Sequence, residues 1–152
     1  MPDEEAQRRA HLEAAVTSAA GSAGGDDYFA HFYRHVSTRD LLQMDPEDVA
    51  GAALSTRALA SRIEGVASVR VYTPTLERDG WASGHTVIEV VTRDVPFLVD
   101  SVLELLDRTD RSVHFISHPQ LLVQRDEEGN LVDVTGSTAR TGEDAPGGAQ
   151  PE

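Results

Sequence analysis

The sequence contains no cysteine and no lysine, and these two absences exclude several kinds of chemistry. Without cysteine there is no disulfide framework, no thiolate nucleophile and no cysteine-based zinc site. All 13 basic residues are arginine, which excludes Schiff-base catalysis and the lysine of a phosphate-binding loop. The G-x-S-x-G, H-E-x-x-H and dinucleotide-binding patterns are missing too. The sequence therefore predicts no catalytic, cofactor-binding or metal-binding residue.

Positive charge is scarce as well, because 13 basic residues stand against 26 acidic ones and the net charge is −13. Nucleic acids and anionic membranes are themselves negative, so neither is an expected partner. No apolar run reaches the roughly 18 residues that a membrane-spanning helix needs. The start, MPDEEAQRRAHLEAA, lacks the cationic and then apolar order of a secretory signal. We therefore expect a cytoplasmic location.

The composition divides the 152 residues into four segments. They are a disordered N-terminal tail (1–25), a helical segment (26–65), an α+β domain (66–136) and a disordered C-terminal tail (137–152). Both tails have too few apolar residues to offset the entropy cost of ordering them, although residues 4–16 have the composition of a frayed helix. The helical segment carries an aromatic stripe at helical spacing, made of Tyr28, Phe29, Phe32, Tyr33 and Val36.

The α+β domain shows an order of strand, helix, strand and strand. Residues 86–92 are rich in Val, Ile and Thr, as in strands. Asp94 is then predicted to be a helix N-cap and Pro96 to lie in the first turn. The period changes to two over residues 112–123, which predicts a long strand bent at a proline, and a turn leads into a returning strand at residues 131–134.

Two further elements precede this unit. The sequence Asp45-Pro46 followed by two acids is a strong helix start, and the helix is predicted to extend to about residue 62. A short strand at residues 69–73 is predicted to pair in an antiparallel hairpin with residues 86–92. Strand, helix, strand and strand are the first part of the split β-α-β fold. The second helix and the fourth strand of that fold have no counterpart after residue 135, so we expect an incomplete copy.

Two histidine pairs share a face. His31 and His35 lie four apart on a predicted helix, a spacing that suits two metal ligands, but a third ligand is not evident and a solvated or stacked pair is favoured. His114 and His118 lie on a predicted strand, where their Cα atoms would be about 13 Å apart, too far to chelate one ion. We interpret them as a contact with a ligand or another domain.

The remaining candidates lie around the predicted strand-to-helix turn. Trp81 follows Gly80 in a glycine-rich connection that also carries His85, and it serves either internal packing or a partner interface. Phe97 lies off the apolar helix face, so it is predicted to be an exposed docking residue. The full set of possible ligand or interdomain contacts is Trp81, His85, Asp94, Phe97, Asp100, Ser101, His114 and His118. Asp100 and Glu104 are one turn apart, but their neighbours indicate a solvated face.

Five stretches together resemble the N-terminal region of the large NAD-specific glutamate dehydrogenases of bacteria, above all the actinobacterial ones. They are FYRHV (32–36), DPEDVAGAALSTRALA (45–60), VRVYTPT (69–75), GWASGHTVIEVVTRDVPFLVDSV (80–102) and HFISHPQLLVQRD (114–126). The resemblance extends from near residue 28 to near residue 133. It implies an ACT-like, that is ferredoxin-like, α+β module with an N-terminal helical segment.

The resemblance also implies a role. Those enzymes oxidise L-glutamate to 2-oxoglutarate and ammonia with NAD and form homo-oligomers, and their catalytic and NAD-binding residues lie far downstream of this region. ACT-like modules that bind amino acids often carry Asp-x-Pro-Gly-Leu between the first strand and helix. Here Phe97 replaces that glycine, which disfavours an amino-acid effector at this turn. The family continues with a helix and a strand, so this chain resembles a fragment or a truncated reading frame.

Three hypotheses follow. The first is a non-catalytic regulatory and assembly module of a large dehydrogenase, with the downstream domains as partners. The second is a stand-alone amino-acid sensor that pairs its sheet with another copy, since an absent strand leaves an edge exposed. The third is a small hydrolase or metal enzyme that uses His114, His118 and Asp100.

Overall fold

The structure, a computed structural model, describes residues 3–19, 26–61, 65–137 and 150–151. The helices are α1 (Glu4–Ser18), α2 (Asp26–Phe32), α3 (Thr38–Leu42), α4 (Pro46–Ala60), α5 (Leu76–Asp79) and α6 (Leu98–Arg108). The strands are β1 (Ala67–Tyr72), β2 (Val87–Thr92), β3 (Leu121–Arg125), β4 (Leu131–Ser137) and β5 (Gln150–Pro151). Helices and small antiparallel sheets together confirm the predicted α+β class. Within the described ranges, no helix combines the length and apolar character needed to cross a bilayer.

The hydrophobic core lies among the first four helices. The predicted aromatic stripe supplies much of it, and the hydroxyls of Tyr28 and Tyr33 donate to the carbonyls of Ala53 and Val49 in α4, each at 2.6 Å. These bonds satisfy two phenol groups that would otherwise be buried without partners. The core consists of Ala15, Tyr28, Phe29, Phe32, Tyr33, Val36, Leu41, Val49, Ala50 and Ala53.

The predicted start of α4 is confirmed, because Asp45 is its N-cap residue and Pro46 its first helical residue. The Asp45 side chain makes no capping hydrogen bond, so the favourable start rests on the proline and on Glu47 and Asp48 near the positive end of the helix dipole. The helix ends at Ala60, and residues 62–64 lie outside the described part.

The N-terminal tail differs from the expectation of disorder. Residues Glu4–Ser18 form α1, which Asp3 caps by accepting a hydrogen bond from the Ala6 N–H at 2.7 Å. The helix packs against α3 and α4 and buries Ala15 completely. Tertiary contacts supply what its weakly apolar composition does not, because most helical stability in proteins comes from packing.

Strands β1 and β2 form a two-stranded antiparallel sheet, which confirms the predicted hairpin pairing. In its register Arg70 lies opposite Glu89. The connection between the strands contains α5, a single turn of helix that the sequence reasoning did not predict. It ends at Gly80, whose φ of 78° is a left-handed cap that suits glycine.

The start of α6 was predicted wrongly. The helix begins at Leu98, so Asp94 is not its N-cap and Pro96 precedes it. The residue before a proline disfavours the helical region, and Phe97 adopts a left-handed conformation with φ 62°. None of the residues of α6 is buried.

The predicted long strand over residues 112–123 is likewise shorter. Residues 111–120 belong to neither sheet, and the ladder starts at Leu121, after Pro119, which has no N–H to donate. From there β3 pairs with β4, as predicted, and also with β5. Residues 150–151 were expected in a disordered tail, but they form β5. Residues 138–149 and 152 of that tail lie outside the described part. The domain boundaries themselves remain a prediction.

Candidate functional site

A cavity of about 1420 Å³ lies between β2, α6 and the extended segment 111–120, and α4 forms part of its wall. Five of the eight predicted contact residues line it: Trp81, His85, Asp94, His114 and His118. The apolar side of α6 also lines it, through Leu98, Val99, Val102, Leu103, Leu105 and Leu106. The structure thus brings together loop, strand and helix residues that are far apart in the chain, such as Ala52 of α4 and Gln120, which are 68 positions apart.

Two imidazole rings stack at this cavity. The rings of His85 and His114 are 4.2 Å apart between centroids and nearly parallel, at 11°. The loop that carries His85 is held by Ser83, whose hydroxyl donates to the His85 carbonyl at 2.6 Å and accepts from the His85 N–H at 3.1 Å. His118 lines the same cavity. Both stacked rings are exposed, so a contact role for them stays a prediction.

Asp94 has a different role from the predicted one. Its Oδ1 accepts a hydrogen bond from Gln120 Nε2 at 3.0 Å, which ties the end of β2 to the start of β3. Ser117 adds a second tie, because its hydroxyl donates to the Phe32 carbonyl at 2.9 Å. The segment 111–120 is therefore anchored by side chains although it has no place in a ladder.

Three predicted residues lie outside the cavity lining, namely Phe97, Asp100 and Ser101. Phe97 is 75% exposed, which confirms the predicted exposure of this aromatic. Asp100 is exposed as well. The hydrolase hypothesis needs Asp100 beside His114 and His118, and the structure does not place Asp100 in the cavity that those two histidines share.

Trp81 is an internal packing residue. It is only 3% exposed and meets the ring of Tyr72 edge-on, with centroids 6.3 Å apart. The neighbouring Ala82 N–H donates to Asp48 Oδ1 in α4 at 3.2 Å. A Cβ added at Gly51 of α4 would lie 2.2 Å from Trp81 Cγ, so the Trp81 side chain packs directly against the helix backbone at Gly51. Sequence reasoning left internal packing and a partner interface open, and packing is what the structure shows.

A buried acid cluster between α4 and the β1–β2 sheet was missed. Glu89 is 5% exposed, and its Oε1 accepts from the hydroxyls of Ser55 at 2.6 Å and Tyr72 at 2.7 Å. Burial, together with the Glu89 carboxylate, raises the pKa of Tyr72 to about 12. Arg70 covers the cluster, with its guanidinium 3.7 Å from the Tyr72 ring centroid. The signal in the sequence was the single glutamate within Val-Ile-Glu-Val-Val.

The second oxygen of Glu89, Oε2, is buried and has no hydrogen-bond partner among the described residues. The same part of the chain contains no group of three or more His, Asp or Glu side chains placed to hold a metal ion. His31 is instead engaged with Ser137, Nδ1 to Oγ at 2.8 Å. The arrangement is suited to packing and to contacts, and the cluster around Glu89 joins a helix to a sheet.

Known proteins resemble most of the chain. Residues 28–150 match the family model described as "Glutamate dehydrogenase, ACT1 domain". An NAD-specific glutamate dehydrogenase of Halomonas elongata is 43% identical over 110 residues, which are 71% of this chain and 7% of that protein. The corresponding enzyme of Pseudomonas aeruginosa is 38% identical over 104 residues, 68% of this chain and 6% of that protein. No solved structure shows a significant match.

These matches agree with the α+β architecture, and they confirm the resemblance drawn from the five sequence stretches. The chain spans less than a tenth of the length of either relative. By its matched residues, the chain belongs to the family of the glutamate dehydrogenase ACT1 domain.

Proposed function

We propose that this chain is a non-catalytic regulatory and assembly module of a large NAD-dependent glutamate dehydrogenase. The parent reaction converts L-glutamate and NAD to 2-oxoglutarate, ammonia and NADH, and we assign it and the NAD site to other parts of the enzyme. Support comes from the names of the two relatives and from the small part of them that the chain spans. A cytoplasmic location belongs to the same proposal.

The observation that carries the assembly role is an uncovered apolar surface. In β1, Val69 and Val71 are each 60% exposed, and Ile88 of β2 is 43% exposed. These residues alternate with Arg70 and Glu89, so they lie on the sheet face opposite the acid cluster. Leu105 on the apolar side of α6 is 61% exposed. Contiguous exposed apolar surface marks contact sites, and we assign this one to other domains of the enzyme or to another copy.

The energetic argument follows from the number of side chains involved. Fully burying one Val, Leu or Ile side chain stabilises by about 1.5–3 kcal/mol. Several such residues around one cavity therefore favour association strongly, even though association itself has an entropic cost. The polar side of α6, with Asp100, Glu104 and Asp107, stays available for water.

The assembly role is tested by analytical ultracentrifugation of the chain over a range of concentrations. We expect association that Leu105→Glu weakens, because a carboxylate then lies in the apolar contact. Asp107→Glu on the same helix is the matched control and should leave association unchanged. A monomer at all concentrations, or equal association of both variants, would contradict the assembly role.

The non-catalytic role is tested separately by glutamate-dependent reduction of NAD, followed by NADH absorbance. The isolated chain should show no turnover above the buffer blank. Sustained turnover by purified chain would overturn this part of the proposal and leave the assembly test unaffected.

A second candidate function is amino-acid sensing, and one observation favours it. Phe97 has φ 62°, the backbone conformation that glycine adopts readily, and its ring is largely exposed. The turn thus keeps a glycine-like shape despite the larger side chain. Titration of the chain with L-amino acids, followed by amide NMR, should move resonances of residues 94–101 if the turn binds an effector. A spectrum indifferent to all of them would remove this function.

A further inference from the structure

Helix α1 lies outside the residues that match the family model, yet it is bonded to that region at two defined points. The guanidinium of Arg8 donates from Nη1 to the Val36 carbonyl at 2.7 Å and from Nη2 to the Tyr33 carbonyl. His11 Nε2 lies 2.7 Å from the Met44 carbonyl. Arg8 and His11 are three residues apart, hence on one side of the helix.

Both contacts fall where a short helix ends. Tyr33 directly follows α2, which has 7 residues, and Met44 lies two residues after α3, which has 5. Helices this short are not stable by themselves, and their last carbonyls have no partner within the helix. Basic side chains near a helix C-terminus bond these carbonyls and complement the dipole. Arg8 and His11 of α1 act at this end of two other helices, on carbonyls of the residues that follow them, of which the Tyr33 carbonyl also accepts from the Val36 N–H at 3.0 Å.

Helix α1 also contributes to the hydrophobic core. Ala15 is its one buried residue, and Leu12, Val16 and Ala19 pack against the core in part. The polar contacts of Arg8 and His11 and this apolar packing together hold α1 in place.

The effect of docking reaches beyond α2. On the other side of that helix, His31 Nδ1 lies 2.8 Å from Ser137 Oγ, and Arg34 Nη1 donates to the Ser137 carbonyl at 3.1 Å. Ser137 is the last residue of β4. A continuous set of hydrogen bonds thus joins Arg8 to the end of α2 and α2 to the end of the β3–β4 hairpin.

We propose that α1 is a detachable strap. When it is docked, Arg8 and His11 hold the backbone just after α2 and α3 and so hold the hairpin end through Ser137. When it is released, α2, α3 and the hairpin end loosen together with the face of α4 that α1 covers, while the β1–β2 sheet keeps its order. The chain's own N-terminal helix covers the surface at the ends of α2 and α3. This proposal does not depend on the proposed enzyme function.

The test is hydrogen–deuterium exchange of the full chain, read by mass spectrometry. Arg8→Ala should speed exchange of residues 7–18 by about 10- to 100-fold, as expected when a hydrogen bond to a charged group is lost. Residues 33–44 and 133–137 should exchange faster too, with β1 and β2 unchanged. Arg9→Ala is the matched control. The Arg9 guanidinium pairs with Glu5 at 3.8 Å and is 68% exposed, so all regions should stay within about 2-fold of the parent chain.

Two outcomes would overturn the proposal. Faster exchange confined to residues 4–18 would make α1 an appended helix without influence, and uniform acceleration across the chain would make it an ordinary part of one cooperative core. If Arg8→Ala does not fold, Arg8→Lys decides. A lysine ammonium keeps the charge but lacks the planar fork that reaches two carbonyls, so the same regional pattern should appear with smaller amplitude, and its absence would refute the strap.

Discussion

Replacing Gly51 by alanine tests the seat of Trp81 on α4. In an exposed helix this substitution stabilises by about 1 kcal/mol. Here the new Cβ would lie 2.2, 2.5 and 2.6 Å from the Cγ, Cβ and Cδ1 atoms of Trp81. These atoms are near the root of a buried side chain, so no small rotation relieves the clash. Trp81 must shift away from α4 and from its contact with Tyr72.

The magnitude is a balance of two effects. Overpacking a core costs about 1–3 kcal/mol, and complete expulsion of an indole would cost about 4–6 kcal/mol from its roughly 150–250 Å² of buried surface. We expect partial displacement and a net loss of about 2 kcal/mol in the free energy of unfolding after the gain in helix propensity. Steric exclusion therefore outweighs propensity at this position.

Trp81 is the one tryptophan of the chain, so its fluorescence reports directly on the site. Urea unfolding followed by emission and by circular dichroism should give a lower midpoint for Gly51→Ala, with red-shifted emission in the folded state. Ala58→Gly, at an exposed position of the same helix, measures propensity alone, and Trp81→Gly, which removes the Cβ and Cγ atoms that the new methyl group meets, should make Gly51→Ala nearly neutral by circular dichroism. An unchanged emission maximum together with a stability gain of about 1 kcal/mol would refute the reasoning.

Three further predictions concern Phe97, Ser55 and the buried tyrosines. Phe97→Gly should raise the free energy of unfolding by about 0.5–1 kcal/mol, because glycine adopts a left-handed φ without strain. Urea unfolding should show no such gain for the control Phe97→Ala. A lower free energy of unfolding for Phe97→Gly would mean that the phenyl ring makes stabilising contacts. Ser55→Ala should lower stability by about 1–3 kcal/mol, since the buried Glu89 loses a donor, whereas Thr56→Ala, whose hydroxyl bonds its own helix, should cost less in the same assay. Burial raises the pKa of Tyr28 and Tyr33 above the ordinary 10.0, so the folded state holds protons that the unfolded chain releases. The contribution of these two tyrosines to stability should be constant below about pH 10, and stability should fall above that pH. The fall should be smaller in Tyr33→Phe, and a profile equal to that of the parent chain would contradict this cause.

Local patterns predicted several elements because the signals are short-range. Pro46 after Asp45 defined the start of α4, the β-branched run located β2, and the turn at Asp126 and Asn130 predicted the β3–β4 hairpin. The family followed from five stretches in a fixed order. Five of the eight contact residues do line one cavity, although the reason for choosing each of them was its own local environment.

Other features depend on partners that are distant in the chain. The amphipathic period of α6 shows which side is apolar, but it cannot show whether anything covers that side. Alternation over residues 112–118 produces a strand only if a neighbouring strand offers backbone hydrogen bonds. Here the side chains of Ser117 and Gln120 anchor the segment instead, by bonding the Phe32 carbonyl and the Asp94 carboxylate. The Glu89 cluster needs Tyr72 of β1, which is 17 positions away in the sequence, and Ser55 of α4, which is 34 positions away.

What the sequence by itself determined is the α+β class, the family, the start of α4 and the β1–β2 and β3–β4 hairpins, because caps, prolines, turns and periodicity act within a few residues. What only the tertiary structure decided is whether a marginal segment is ordered and which surface it covers. Helix α1 shows the reason most clearly. Its composition predicts a disordered tail with a frayed helix, and it forms a full helix because Arg8 and His11 bond carbonyls that follow α2 and α3 and Ala15 packs in the core.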